Sequence, residues 1–251
     1  MPQTPITLVT GANQGIGLQI AKDLAAAGHT VLLGARDAAR GEAAAATIGG
    51  DVHAIQLDVT DPASIAAAAE KICRDFGRLD VLVNNAAISH TGRVRAETVE
   101  EMVEKSRAST VSLDEVRAVW ETNVFGVLAV TQAMLPLLRA GTAPHIVNVS
   151  STVGSLSKMS DPASPYRAVF GPVYPASKTA LNAMTVALAI ELEAEGIKVN
   201  AVCPGYTKTN LNNYSGTKSV EDGARQPVRL ALMGADAPTG TFSSSDGPEP
   251  W

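Results

Sequence analysis

Ile6-Thr7-Leu8-Val9-Thr10-Gly11-Ala12-Asn13-Gln14-Gly15-Ile16-Gly17 begins as a strand and ends as the start of a helix. Its opening apolar and β-branched residues, with no charge among them, suit a strand covered on both faces. Glycines then permit a tight turn and let the backbone approach a pyrophosphate, which the start of the following helix attracts. Gly11, Gly15 and Gly17 are spaced Gly-x-x-x-Gly-x-Gly, not Gly-x-Gly-x-x-Gly. The reading therefore rests on where the loop stands, between the first strand and the first helix, with Asn13, Gln14 and Ile16 inside it.

Downstream, short aliphatic runs at 30–34, 52–57, 79–83, 145–150 and 198–202 alternate with alanine-rich helical stretches at 17–27, 62–76, 124–138 and 177–193. Near-continuous apolar strands separated by helices imply a parallel sheet covered on both sides, and right-handed crossovers make it doubly wound. The expectation is one α/β domain over residues 1–251 with a mostly parallel, seven-stranded sheet, the last strand near 241–244 in a tail that is otherwise not helical. Two segments break the rhythm. Residues 89–112 include a charged stretch at 93–107 that reads as a surface helix, and 152–172 reads as a polar, proline-bearing loop.

A chain of 251 residues, 45% hydrophobic and 18% charged, can bury a sizeable core. A net charge of −5 without a basic run argues against nucleic acid as a partner. Cys73 and Cys203 have neither metal nor redox spacing and read as two buried free thiols in a reducing cytoplasm. His29, His53, His90 and His145 show no ligand spacing, so no metal site is expected. No apolar run reaches the ~18–20 residues of a membrane span, and the early strand leaves no room for a signal peptide. The expectation is a soluble cytoplasmic protein.

Two groups of residues carry chemistry. The second strand ends without an acid at its tip and is followed by Arg36, Asp37 and Arg40. Guanidinium forks match phosphate oxygens, which favours the 2′-phosphate of NADP(H) over the 2′-hydroxyl of NAD. Tyr174 and Lys178 stand four residues apart at the start of a helical pattern, hence on one face. An ammonium beside the phenol would lower its pKa from ~10 by about 2–3 units, into acid/base range.

With these motifs in this order, the chain resembles the short-chain dehydrogenase/reductase family, in particular its carbonyl-reductase-like members. The glycine loop over residues 10–17, the Leu57-Asp58-Val59 segment, Asn84-Asn85-Ala86-Ala87, Glu121-Thr122-Asn123-Val124, Asn148-Val149-Ser150-Ser151, Tyr174 with Lys178, and Pro204-Gly205-Tyr206-Thr207-Lys208-Thr209 carry the likeness. The resemblance implies a Rossmann fold and a catalytic tetrad of Asn123, Ser151, Tyr174 and Lys178. Asp58 and Val59 would hold adenine, Asn85 and Ala86 would line the cofactor, and Pro204, Gly205, Thr207 and Thr209 would contact the nicotinamide. Lys178 would bond the nicotinamide ribose, and Asn123 would hold a water linking Lys178 to solvent. Ser150 is the alternative to Ser151, Asp58 could be a strand-end turn residue, and either Thr207 or Thr209 could hold the carboxamide. Gln14 replaces a lysine often used for the 2′-phosphate, and Ala87 replaces a glycine. Tyr174 follows Ser151 by 23 residues, a gap wider than the family's usual one, so the intervening loop is expected to bound the substrate pocket.

The expected activity is NADPH-dependent reduction of a ketone or aldehyde, reversible to the secondary alcohol. An NAD-dependent alcohol dehydrogenase and a non-catalytic dinucleotide sensor are the alternatives. The expected partner is a small carbonyl or alcohol. The resemblance admits a monomer, which the insertion before Tyr174 suggests, or a homodimer or homotetramer paired through the helices after Val124 and Ser177.

Overall fold

A computed structural model describes residues 4–92, 101 and 104–251. Strands β1 (Ile6–Val9), β2 (Thr30–Ala35), β3 (Val52–Gln56), β4 (Val81–Asn84), β5 (His145–Val149), β6 (Lys198–Cys203), β7 (Phe242–Ser244) and β8 (Gly247–Pro248) form one sheet in the order β3-β2-β1-β4-β5-β6-β7-β8. All neighbours run parallel except β7 and β8. The order reverses direction between β1 and β4, which opens a crevice at the carboxyl edge of the sheet. The sheet therefore has eight described strands where seven were expected. The additional one is two residues long, and its pairing follows from a hairpin turn at Ser245-Asp246 too brief for sequence periodicity to register.

Helices α1 (Gly15–Ala26), α2 (Ala38–Ala45), α3 (Pro62–Phe76), α4 (Leu113–Trp120), α5 (Gly126–Arg139), α6 (Leu156–Ser160), α7 (Tyr174–Glu191) and α8 (Val220–Ala231) cover the two faces. One core joins Leu8, Leu32, Ile55, Leu82 and Ile146 of the sheet to Ile72, Met134, Leu138 and Leu188 of the helices. The other joins Val9, Val31, Leu33, Val83 and Val147 to Ile20, Leu24 and Leu230. The central strands are buried along their whole length, which is why they read as unbroken apolar runs rather than alternating ones. Side-chain caps from Asp37, Asp61, Ser112, Ser155 and Ser219 start α2, α3, α4, α6 and α8.

Three expectations change, and a fourth falls largely outside the described residues. The segment 152–172 is not a plain loop: it holds a 3₁₀ turn at Thr152–Gly154, helix α6 and a second 3₁₀ turn at Arg167–Val169. Ser155, an N-cap with Lys158 three residues on, nucleates α6 despite the flanking prolines. Cys73 is exposed, because it falls on the outer stripe of α3, whereas Cys203 is buried. A π turn at Glu121–Phe125 joins α4 to α5, so that Leu113–Arg139 is one helix of 27 residues, long and apolar enough by composition to cross a membrane. Half of that apolar window is buried inside the protein, as in a core helix. The expected surface helix at 93–107 lies largely outside the described residues.

Leu82 is fully buried on β4, between β1 and β5. Leu82→Ala should lower the free energy of unfolding by about 3 kcal/mol, read from the midpoint of urea denaturation, because the cavity it leaves cannot collapse within a central strand.

Candidate active site

The carboxyl edge of the sheet gathers the residues singled out in the sequence. Gly11 has φ +62°, and a Cβ there would stand 2.9 Å from Ala86 Cα. A Cβ on Gly17 would stand 2.4 Å from Asn85 Nδ2 and 2.6 Å from the Gly11 carbonyl oxygen. Asn85 explains the closeness: its Nδ2 donates to the carbonyls of Thr10 (2.9 Å) and Gly11 (3.2 Å). Thr10 Oγ1 in turn accepts from the Asn85 and Ala86 amides, both at 3.0 Å. The glycine loop is thus stitched to the end of β4.

Gln14 stands extended at the N-cap of α1 without capping it, so among the described residues the first-turn amides of α1 have no side-chain acceptor. Free amides at a glycine-lined helix start fit a dinucleotide pyrophosphate. Asn13 flanks this loop half-buried, while Ile16 packs into the adjoining core. Arg36 and Arg40 stand exposed past β2 and make no ion pair among the described residues, while Asp37 caps α2 through the Arg40 amide.

Asp58 serves its own turn. Its Oδ1 accepts from Thr60 N (2.9 Å) and Thr60 Oγ1 (2.7 Å), the strand-end arrangement foreseen as its alternative. Val59 is a core residue. Past β6, Gly205 has φ +76°, and Thr207 Oγ1 donates to the Pro204 (3.1 Å) and Gly205 (3.3 Å) carbonyls. Thr209 instead faces the glycine loop: a Cβ on Gly15 would meet its methyl at 3.5 Å.

The two serines after β5 diverge. Ser150 is buried and donates to Asn182 Oδ1 at 2.5 Å, turned into the core. Ser151 caps the 3₁₀ turn, its hydroxyl accepting from Val153 N at 3.4 Å, and it is the one that acts on the phenol of Tyr174. Strand alternation sends adjacent side chains to opposite sides, which is why only one can serve the site.

Tyr174 opens α7, and Lys178 lies one turn on. Lys178 is only 2% exposed, and its ammonium donates to the Val149 carbonyl at 2.8 Å and lies 5.6 Å from the centroid of the Tyr174 ring. Burial lowers it to about 8, with Cys203 partly offsetting that fall. The phenol moves opposite to expectation. Burial pushes Tyr174 above its usual value, Cys203 adds to the rise, and only the Ser151 hydroxyl pulls it back. The spacing argument counted the charge beside the phenol and not the burial of both groups, whereas the ammonium is spent on a backbone carbonyl and desolvation dominates.

Asn123 is fully buried within the π turn. Its Oδ1 accepts from Ile88 N (2.9 Å), and its Nδ2 donates to the Ile88 carbonyl (2.9 Å) and to Ser177 Oγ (3.0 Å). Both amide hydrogens are committed, leaving only a lone pair of Oδ1 for a further contact. The residue pins the chain after β4 to α7. Sequence reasoning missed Ser177, and it missed that Cys203 Sγ accepts from Thr152 N (3.1 Å), Thr152 Oγ1 (3.0 Å) and Gly205 N (3.3 Å). Such long-range links leave no local pattern. His90 bonds its own loop, Nδ1 accepting from Gly92 N, and among the described residues no His, Cys, Asp or Glu cluster could hold a metal.

Because Lys178 has a folded value near 8 against an ordinary 10.5, the unfolded chain binds the extra proton between those values, and stability should rise with pH across that window. Below pH 8 the residue is charged in both states and contributes no slope. Denaturation midpoints of the cofactor-free parent should climb relative to Lys178→Met between pH 8 and 10.5.

The comparisons with known proteins agree with this geometry. Residues 5–219 match the family model described as short chain dehydrogenase. The (+)-neomenthol dehydrogenase of Arabidopsis thaliana is 35% identical, over 96% of this chain and 97% of its own. The solved structure of salutaridine reductase from Papaver somniferum superposes with a TM-score of 0.79 at 32% identity, covering 96% of this chain and 99% of the other. A 3-ketoacyl-(acyl-carrier-protein) reductase from Brucella melitensis, complexed with NADH, gives 0.77 at 28% identity, with 96% of each chain covered. The chain is a member of the short-chain dehydrogenase/reductase family, an oxidoreductase of CH–OH and C=O groups that works with a nicotinamide dinucleotide.

Proposed function

We propose that this protein is an NADPH-dependent carbonyl reductase that converts a ketone or aldehyde to the alcohol, reversibly. The observation that carries the cofactor choice is the pair Arg36 and Arg40, exposed at the end of β2 and free of any ion pair among the described residues. Two unspent guanidiniums suit a 2′-phosphate, and Asp37, the carboxylate between them in sequence, is occupied as a helix cap. The relatives named for reducing salutaridine and for dehydrogenating neomenthol support the reaction class.

The cofactor would lie along Gly11, Asn13, Gln14, Gly15, Ile16 and Gly17, past Asn85 and Ala86, towards Pro204, Gly205, Thr207 and Thr209. When bound it supplies the hydride. The chain supplies the rest. Ser151 donates a hydrogen bond to the carbonyl oxygen and stabilises the alkoxide charge that grows there. Tyr174 gives its phenolic proton to that oxygen, and its raised pKa keeps the proton in place until the oxygen turns basic. Lys178, cationic below about pH 8, offsets the phenolate left behind. Asn123 holds Ile88 and Ser177 in register around the pocket. Thr209, which faces the glycine loop, suits the phosphate end better than the carboxamide. That leaves Thr207, beside the Pro204-Gly205 turn, for the carboxamide.

Tyr174→Phe should lower ketone reduction by at least a thousand-fold while leaving NADPH binding by fluorescence titration within two-fold. A variant that reduces ketones at the parent rate would sink the proton-donor assignment. Arg36→Ala should raise the KM for NADPH about ten-fold or more and leave that for NADH nearly unchanged, measured in parallel steady-state assays. Equal effects on both would favour the NAD-dependent alternative.

A further inference from the structure

The chain leaves the site at Ser151 and returns to it at Tyr174, and what lies between is held from outside by the residues that follow β8. After β7 the backbone turns through Ser245-Asp246 into β8, and Glu249 N donates to the Phe242 carbonyl at 2.8 Å. Trp251 then stacks on Phe242 with ring centroids 5.5 Å apart. From that anchored position the tail reaches α6. Glu249 pairs with Lys158 at 2.5 Å, and its side chain is only 10% exposed. The Trp251 carbonyl accepts from Ser157 N (2.9 Å) and from Ser155 Oγ (3.3 Å).

The start of the clamped segment is itself fixed to the site. Thr152 donates twice to Cys203 Sγ, and a Cβ on Gly154 would stand 2.8 Å from both the backbone carbon and the Cβ of Lys178. On its other side α6 forms a cavity of about 380 Å³, lined by Leu156, Ser157, Met159, Ser160 and Phe170. That volume lies within the ordinary range of small-molecule sites. Leu156 is 56% exposed and Phe170 38%, and both belong to the segment that leaves the site after Ser151 and re-enters it at Tyr174.

We propose that the tail at Glu249–Trp251 is a strap that positions α6 as the wall of the substrate pocket, so that Leu156, Met159 and Phe170 receive the apolar body of a bulky ring-bearing carbonyl compound. Glu249 and Lys158 are positioning residues in this account and touch neither substrate nor cofactor. The strap acts on one flank of the site only. The glycine loop and the arginines after β2 lie on the far side of the β1–β4 crevice, away from β7 and β8. The strap therefore leaves the glycine-loop and 2′-phosphate end of the cofactor untouched, and it meets the nicotinamide turn at Gly205 only through the shared Cys203 thiol.

The proposal rests on the carbonyl-reductase reading, and the experiment tells the two apart. With 2-decalone and cyclohexanone as bulky and small probes, Glu249→Gln should raise the KM for 2-decalone about ten-fold. The KM for cyclohexanone and for NADPH, and kcat, should stay within about two-fold. Amide exchange of residues 155–160 should accelerate at least ten-fold, and the double exchange Lys158→Glu with Glu249→Lys should restore both readouts. An unchanged KM for 2-decalone, or KM values for 2-decalone and NADPH rising together with a general loss of thermal stability, would overturn the strap. If the parent reduces no carbonyl with either nicotinamide, the carbonyl-reductase reading fails. The strap is then judged on exchange alone: rates at 155–160 that do not respond to Glu249→Gln refute it.

Discussion

One hydrogen bond organises the centre of this molecule, that from the buried Lys178 ammonium to the carbonyl of Val149. A cation taken out of water is costly unless it is well partnered, and here the direct partner is the last residue of β5. The requirement fixes how far β5 runs, where α7 enters and how closely the backbone between them passes. Gly154 has no room for a side chain because the Lys178 backbone occupies the space. Ser150 must turn inward to Asn182 on the same helix, which leaves Ser151 to face the crevice. The same burial that sets the geometry sets the charges, with the ammonium softened to about 8 and the phenol hardened.

The fold was largely legible because burial on both faces writes itself into sequence as unbroken apolar runs. Strands β1 to β6 and helix α3 stand where periodicity puts them, to within one residue at each end except the start of β4, which lies two residues later. What escaped is short or long-range. β8 is two residues long, α6 depends on a cap hidden among polar residues, and the π turn has no sequence period of its own. The site was legible as a set of residue types in order, and Ser151, Tyr174, Lys178 and the glycine loop do converge at the sheet edge. Their electrostatics were not. The i,i+4 spacing of Tyr174 and Lys178 says which face they share but not how deeply the fold buries them, and that burial decided the direction of both shifts.

Polar links across the sheet edge replace what a second domain would do in a larger protein. Ser89 Oγ donates to the Leu211 carbonyl at 2.7 Å, tying the chain after β4 to the chain after β6. Cys203 Sγ ties the chain after β5 to the turn after β6. Farther back, Asn84, Asn148 and Thr185 form a buried polar file running from β4 through β5 to α7. Each group in it has a partner, so the polar cost of burial is met.

The π turn at Glu121–Phe125 has a consequence for the chain's history and its tolerance of change. Such a turn amounts to one residue inserted into an α-helix. Each residue rotates a helix by about 100°, so removing a single residue here would restore regular winding and swing all of α4 around its axis relative to α5. The apolar contacts of α5 with the sheet would survive that change almost untouched, and the protein would still fold. Asn123, however, would lose its two hydrogen bonds with Ile88, and the loop after β4 would lose the clasp that joins it to α7. One residue therefore separates a stable scaffold from an assembled site, and length variation at this point would be silent to the core.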